Sequence, residues 1–570
     1  MITKIKYLIC TLCIVCGSMS CSSILDTDSE LVEFEEDNTL NHPTDSVYSV
    51  LGIINRIQHI ADRTVLLGEV RADLVTYTNA ASADLKRLAD FDFSQSNKYN
   101  QVSDYYAVIN NCNYYLAHAD TALQRRGRKL FEYEYAAVKC FRAWTYLELV
   151  KAYGNVPLVL TPIMTENQAR DAMQQPKVGI VDICNYFIDD LTPYALVELP
   201  RFGRIGSYDS REFFYPMRVL LGDLCLWAGR YVEAARWYNS YLNDKEEPIT
   251  LSVGKRVQWA SVTDFRSYRN TYSSNENRQR DRLSLIPMET RVFDGVVSDL
   301  QNIFSSTSEN YNYFQLTPSE GMYAISADPQ YCINCIEYKT ETTTDTIYAP
   351  RSGFVDRIYV GDLRFLANYT QTSLVGQLDS YSEYGPLSQN IRKFWDDAVS
   401  TCRRTMVWLR YAEALNRAGL PQSAMAILKY GLCEENILLH VDSLEQEKAG
   451  TLISLDPTEF SRETTIGIHS LGCGDTECNA YYDLPQPPTA LATRQDTIDY
   501  QIPLVEDMII TEMALEGSFE GYRFYDLMRV ALRRNDPSYL AAPISRRQGT
   551  EDATLRTLLM EPKNWYLPLP

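Results

Sequence analysis

Histidine is scarce in this chain, with five residues in 570 (His42, His59, His118, His440 and His469). They are scattered, so a histidine-based triad or metal centre could arise only by folding. No Gly-x-x-x-x-Gly-Lys-Ser/Thr, His-Glu-x-x-His or Gly-x-Ser-x-Gly occurs, which removes the phosphate-cradling loop, the zinc-protease helix and the nucleophile elbow. Basic charge is in deficit: 54 Lys and Arg stand against 74 Asp and Glu, a formal net charge of −20. That argues against nucleic acid and against anionic lipid bound through the protein surface. Beyond residue 20 no apolar run is long enough to span a bilayer. No Pro/Gly/Ser-rich linker divides the chain, so residues 41–570 read as one large lobed domain. Acids are abundant enough that counting cannot exclude a glycosidase-type pair. Glu516 and Glu520, one helical turn apart, read instead as a solvated face or as partners of Arg523 and Arg529.

What is present begins with the first 21 residues. Lys4 and Lys6 precede an apolar run from Tyr7 to Cys16, and the small residues Gly17, Ser18 and Ser20 lead to Cys21. This is the pattern of a leader, so residues 1–20 are expected to be a signal peptide. Ser18-Met19-Ser20-Cys21 resembles a bacterial lipoprotein signal, in which the cysteine is acylated and becomes the new amino terminus; such signals usually carry Leu where Ser18 stands. An ordinary secretory leader with a cysteine near its end, or a weak membrane anchor, is the alternative. Residues 21–40 are acidic and read as a tether, similar to the export tag of surface-exposed lipoproteins in the Bacteroidetes. Several acyl chains on Cys21 would give an anchor that does not readily dissociate, since each buried methylene contributes roughly 0.8 kcal/mol.

Of 14 cysteines, ten lie beyond Cys21. Cys112, Cys140, Cys184, Cys225, Cys402 and Cys433 fall on apolar helical patterns and read as core. Cys332 and Cys335, and Cys473 and Cys478, sit in polar or turn-rich surroundings. A zinc site built from all four is conceivable, but only the first pair has ligand-like spacing and no histidine supports it, so no metal is expected and a disulfide between Cys473 and Cys478 is the preferred reading.

Helical periodicity is strong in several places. Tyr133, Ala136, Ala137, Cys140, Phe141, Trp144 and Leu147 share one stripe, which Gly154 and Pro157 should end. Residues 213–243 predict a helical hairpin resembling a tetratricopeptide unit, with Gly222 at the close approach, Gly229 and Tyr231 at the turn, and Ala234 with Tyr238 in the second helix. The pattern recurs at 407–432, and 104–123 and 504–532 are further helical candidates. The expected fold is mainly α: a tetratricopeptide-like helical scaffold (41–250, 400–432 and 504–570) carrying long loop-rich insertions with a few short strands (251–400 and 433–503), insertions of a length that tends to be functional.

Residues 133–163, YEYAAVKCFRAWTYLELVKAYGNVPLVLTPI, resemble the most recognisable segment of the SusD/RagB family of outer-membrane nutrient-binding lipoproteins. In the family's order follow Asp362-x-Arg364, Lys393-Phe394, Leu409-Arg410-Tyr411-Ala412-Glu413-Ala414, the glycine-rich turn 467–472, the segment 512–529 and the terminal Trp565-Tyr566-Leu567-Pro568. The resemblance implies a non-enzymatic lipoprotein on the outer membrane's extracellular side. It would bind a glycan or oligosaccharide and deliver it to a SusC-like TonB-dependent transporter, with no cofactor. Peptide capture, as in the RagB branch, is the alternative within the family, and a surface glycoside hydrolase or peptidase the alternative outside it. Forty tyrosines are the better clue to the site, because a tyrosine face covers a sugar ring while its hydroxyl bonds the rim. Tyr133, Tyr231 and Tyr238 belong to packed stripes. Tyr77, Tyr268, Tyr272, Tyr311 and Tyr313 stand in insertions among amides and acids and are the candidate ligand contacts.

Overall fold

The structure is a computed structural model and describes residue 40 and residues 42–251, 253–261, 264–288, 296–305, 314–327, 334–339, 344–349, 353–355, 358–360, 362–372, 388–394, 397–472 and 482–569. Ten helices of nine residues or more lie among them: α1 (Pro43–Glu69), α2 (Val102–His118), α3 (Glu132–Tyr153), α4 (Ile180–Leu191), α5 (Met217–Ala228), α6 (Tyr231–Leu242), α7 (Arg404–Arg417), α8 (Pro421–Lys429), α9 (Arg494–Glu516) and α10 (Arg523–Arg534). Successive helices pack as hairpins, α2 with α3, α5 with α6 and α7 with α8, while α4 bridges α3 and α5, and α7 packs on both α6 and α9. This is the expected mainly helical, tetratricopeptide-like scaffold. None of the described helices is long and apolar enough to cross a membrane.

The hairpins form for the reasons legible in their sequence. α3 stops at Gly154, whose φ of +77° suits a residue without a side chain. Gly229 caps α5 in the left-handed region and lets α6 start two residues later. A Cβ on Gly222 would fall 2.5 Å from the Tyr238 ring, so the glycine is what lets α5 and α6 approach. The six helix-pattern cysteines are all buried and free, packed as small hydrophobes. Trp144 and Tyr238 are buried as well, but Tyr133 is 40% exposed: it lies in the first turn of α3, at the edge of the packed stripe.

Buried polar groups orient one hairpin against the next. Asp223 on α5 accepts from Tyr238 (2.6 Å), Tyr215 (2.7 Å) and Arg410 of α7 (3.0 Å). Glu413 on α7 takes a two-pronged pair from Arg529 of α10 (2.9 and 2.6 Å). Burial alone would raise the Glu413 carboxyl, but Arg529 and Arg533 outweigh it and hold it at about 2. The helix expected over 504–532 is two helices. α9 begins at Arg494, capped by Thr493 and Asp496, and carries Pro503 in its interior; it ends at Glu516, and a turn precedes α10.

The described strands pair only in twos. β1 (Val75–Tyr77), β2 (Val257–Ser261), β3 (Asp264–Asn270), β4 (Arg282–Pro287), β5 (Leu316–Pro318) and β6 (Ala398–Arg403) form the antiparallel pairs β1 with β5, β2 with β3 and β4 with β6. The last pair leads directly into α7 and so brings described residues of the irregular region, Lys255, Arg364, Lys393 and Arg403 among them, against the end of α9.

Candidate functional site

Glu512, Glu516 and Glu520 are spaced by four. The first two share a face of α9, and the turn after Glu516 carries the third onward. All three meet cations from the irregular region. Glu516, fully buried, accepts from Lys255 (2.8 Å) and Arg403 (3.0 Å) and lies 3.7 Å from Arg364. Glu520 accepts from Lys393 (2.5 Å) and from Arg403 (2.7 Å). Asp281 accepts from Lys255 (2.9 Å), Arg403 (2.5 Å) and the Thr405 hydroxyl (2.8 Å). Behind them Arg364 joins Asp362 (2.7 Å) to Glu512 (2.8 Å), and Glu512 also meets His469 (2.9 Å). The expectation of a solvated Glu516 and Glu520, or of pairing with Arg523 and Arg529, is therefore corrected: Arg523 pairs with Asp73 and Arg529 with Glu413. Turn spacing applies to an open helix face, whereas here the helix ends and the irregular region folds over its end.

The network fixes the charge states. Burial would raise the Glu516 carboxyl, but Lys255, Arg403 and Arg364 hold it well below the usual range. Asp281 is likewise held at about 2, burial being outweighed by Lys255 and Arg403. Carboxylates tied down in this way have no proton to give near neutral pH and are poor bases. Glu69, the last residue of α1, is the opposite case. One of its oxygens accepts from the Gly521 N–H at 2.9 Å, it has no ion pair among the described residues, and burial pushes it up to about 8. A raised carboxyl contributes stability that is full below 4.5 and is lost as pH rises through about 8. Glu69→Gln should therefore match the natural protein in thermal melts at pH 4.5 and melt higher at pH 8.5; an equal gap at both pH values would contradict a neutral Glu69.

Beside the network lies a cavity of about 90 Å³, lined by Tyr272, Arg278, Asn368, Arg392, Phe394 and Ser400 among others. Among the candidate tyrosines whose side chains the structure describes, Tyr272 lines it. Tyr272 is 3% exposed and its ring lies 4.6 Å from the Lys255 ammonium, so its face is covered, and its buried hydroxyl has no hydrogen-bond partner among the described residues. Tyr268 lies on β3, paired in register with Trp259. Tyr77, at the end of β1, pairs with Leu316, and its hydroxyl donates to Asp90 at 3.3 Å. The next residue, Thr78, bonds the backbones of Phe314 and Gln315, so β1 runs beside the segment that follows Tyr313. Tyr311, Tyr313, Cys332, Cys473 and Cys478 lie outside the described residues; Cys335 lies on a strand, Asn334–Lys339. Among the described residues no cluster of metal-ligand type occurs. Sequence reasoning missed Lys255, Arg278, Asn368, Arg392 and Ser400, which are single polar residues without a motif. The spacing of the three glutamates was the available signal for the network.

Helical hairpins carrying an irregular region, clamped at one helix end by buried ion pairs, define a tetratricopeptide-like scaffold protein. Its fold is that of the SusD superfamily. A SusD superfamily protein of Bacteroides vulgatus superposes with a TM-score of 0.54 at 14% identity over 93% of this chain and 96% of that one. A SusD-like carbohydrate-binding protein of Bacteroides fragilis gives 0.53 at 13% identity over 87% of both chains. A SusD superfamily protein of Bacteroides thetaiotaomicron gives 0.51 at 16% identity over 93% and 95%. No family model matches the sequence, and no curated protein matches it; at these identities the likeness is one of fold.

Proposed function

We propose that this protein is a glycan-binding lipoprotein of the outer membrane, facing outward, that captures an oligosaccharide and passes it unaltered to a SusC-like TonB-dependent transporter. The observation that carries the reading is the match of fold along nearly the whole of both chains to SusD superfamily proteins, one of them a carbohydrate-binding protein. Two features support it: the chain lacks the common catalytic motifs, and the carboxylates beside its cavity are committed to cations. In this reading residues 1–20 are the signal peptide, Cys21 carries the lipid, and 21–40 is the tether. Tyr77, Tyr268, Tyr311 and Tyr313 contribute to the ligand face, Tyr272 through its hydroxyl, and Cys473 pairs with Cys478.

The anchor and the partner are tested together. The full-length chain expressed in its native host should incorporate a fatty-acid analogue and co-purify with a TonB-dependent transporter. Cys21→Ala should abolish the label and release the protein from the membrane, because acyl chains are the only anchor proposed. Retained label and unchanged membrane fractionation in the variant would refute the lipoprotein reading.

A further inference from the structure

The cavity beside the clamp differs in charge from the rest of the molecule. In a chain of net charge −20 it is lined by Lys255, Arg278, Arg282, Arg392, Lys393 and Arg403, with only Asp281 and Glu520 of opposite sign. Most of these cations are committed. Lys255, Lys393 and Arg403 pair with Asp281, Glu516 and Glu520, and Arg282 pairs with Glu212 at 2.7 Å. Arg278 and Arg392 are not: among the described residues neither has a carboxylate partner. Arg278 spends its Nη groups on the Arg392 carbonyl (3.4 Å) and the Asn275 side chain (2.7 Å).

The same wall carries polar atoms that are buried yet meet no partner among the described residues: the Tyr272 hydroxyl, the Asn368 Nδ2, the Ser400 hydroxyl and the Arg278 Nε. Tyr272 and Asn368 are 3% and 2% exposed, so these are built positions rather than surface side chains. All four can donate. A buried donor left unpaired is costly, and four in the wall of one cavity, beside two guanidiniums without a carboxylate partner among the described residues, call for a group with several acceptor oxygens and negative charge. The cavity, about 90 Å³, is several times the roughly 10–15 Å³ that one ordered water needs. It has room for a carboxylate or sulfate with the atom that bears it.

We infer that this cavity is a subsite for an anionic substituent, a carboxylate or a sulfate ester, on an acidic glycan, with Arg392 and Arg278 supplying charge and Tyr272, Asn368 and Ser400 the remaining donors. This rests on the glycan-binding reading above and names the class of glycan. Neutral sugars would leave both guanidiniums without a counter-charge.

The test is calorimetric titration of the full-length protein in detergent with matched pairs: oligogalacturonate against its methyl ester, chondroitin sulfate oligosaccharide against unsulfated chondroitin, and inorganic sulfate alone. Two variants accompany it. Arg392→Gln alters a half-buried side chain, and Tyr272→Phe keeps the packed ring while removing a hydroxyl that has no partner among the described residues, so both should fold. The expected result is at least a tenfold preference for the charged member of one pair, falling close to unity in Arg392→Gln and by several-fold in Tyr272→Phe. Equal affinity for both members of each pair, with glycan binding intact, would overturn the subsite and leave the glycan reading standing. Binding of inorganic sulfate without preference for either charged oligosaccharide would also overturn it, marking a site for free anions. Binding of no oligosaccharide would remove the glycan reading and the subsite with it.

Discussion

Glu516→Gln is expected to cost about 3–5 kcal/mol of stability, the usual consequence of removing one partner from a buried ion pair. The substitution preserves shape but leaves Lys255, Arg403 and Arg364 short of a counter-charge around a fully buried position. Because the clamp joins the irregular region to the end of α9, that region should loosen first, and amide exchange in 253–288 and 397–403 should accelerate before the scaffold melts. The pH dependence has a definite sign. The folded-state value lies below the ordinary 4.5, so the contribution of Glu516 is present above about 4.5 and is lost as pH falls through the folded value. The variant has nothing to titrate there and should show a flatter acid limb in denaturant melts. Glu276→Gln is the control. Glu276 is 80% exposed and among the described residues pairs only with Arg280 on its own helical turn, so its loss should cost less than about 0.5 kcal/mol. A Glu516→Gln protein within 1 kcal/mol of the original, by the same melts, would mean that the clamp is incidental.

Gly68→Ala should be nearly as damaging, for a steric reason. A Cβ at Gly68 on α1 would stand 1.7 Å from the Gly521 carbonyl oxygen, and Gly521 itself has a φ of +88° with a notional Cβ 2.2 Å from the Thr64 carbonyl. Backbone meets backbone, so no side chain can swing aside. Inserting a methyl must part α1 from the turn before α10, straining the Gly521 N–H bond to Glu69 and the Arg523 pair with Asp73. Overpacking of this kind typically costs about 1–3 kcal/mol, and the rigidity of both partners puts the expected value at about 3 kcal/mol or above. Gly52→Ala on the same helix has nothing within 4 Å of the added methyl and should instead stabilise by up to about 1 kcal/mol. Opposite signs for the two in parallel urea melts are the expected result; equal small effects would contradict the close approach.

The scaffold was legible because helices announce themselves locally. The stripe of α3 and the cap at Gly154 are set by residues within one or two turns of each other, and the Gly222 to Tyr238 interlock by two helices joined by a tight turn; apart from Tyr133 at the edge of the stripe, all appear as expected. The helix expected from residue 504 begins at Arg494, where the capping box at Thr493 starts it and carries it past Pro503. The cavity was illegible for a different reason. Tyr272, Arg278, Asn368, Arg392 and Ser400 come from separate stretches, and each alone is an ordinary polar or aromatic residue in a polar insertion. Tyr272 shows the limit well: its surroundings suggested an open stacking face, yet the fold buries the residue and lays Lys255 against the ring. Nor does spacing alone reveal that Glu516 serves as an internal counter-ion, because its partners Lys255 and Arg403 are 261 and 113 residues away.

The central claim, capture of a glycan without chemistry on it, is tested most directly by titrating the purified protein with a panel of oligosaccharides and peptides and recovering the bound ligand for mass analysis. The account predicts saturable binding of an oligosaccharide that is recovered intact after prolonged incubation. Binding confined to peptides, or recovery of a cleaved sugar, would contradict it.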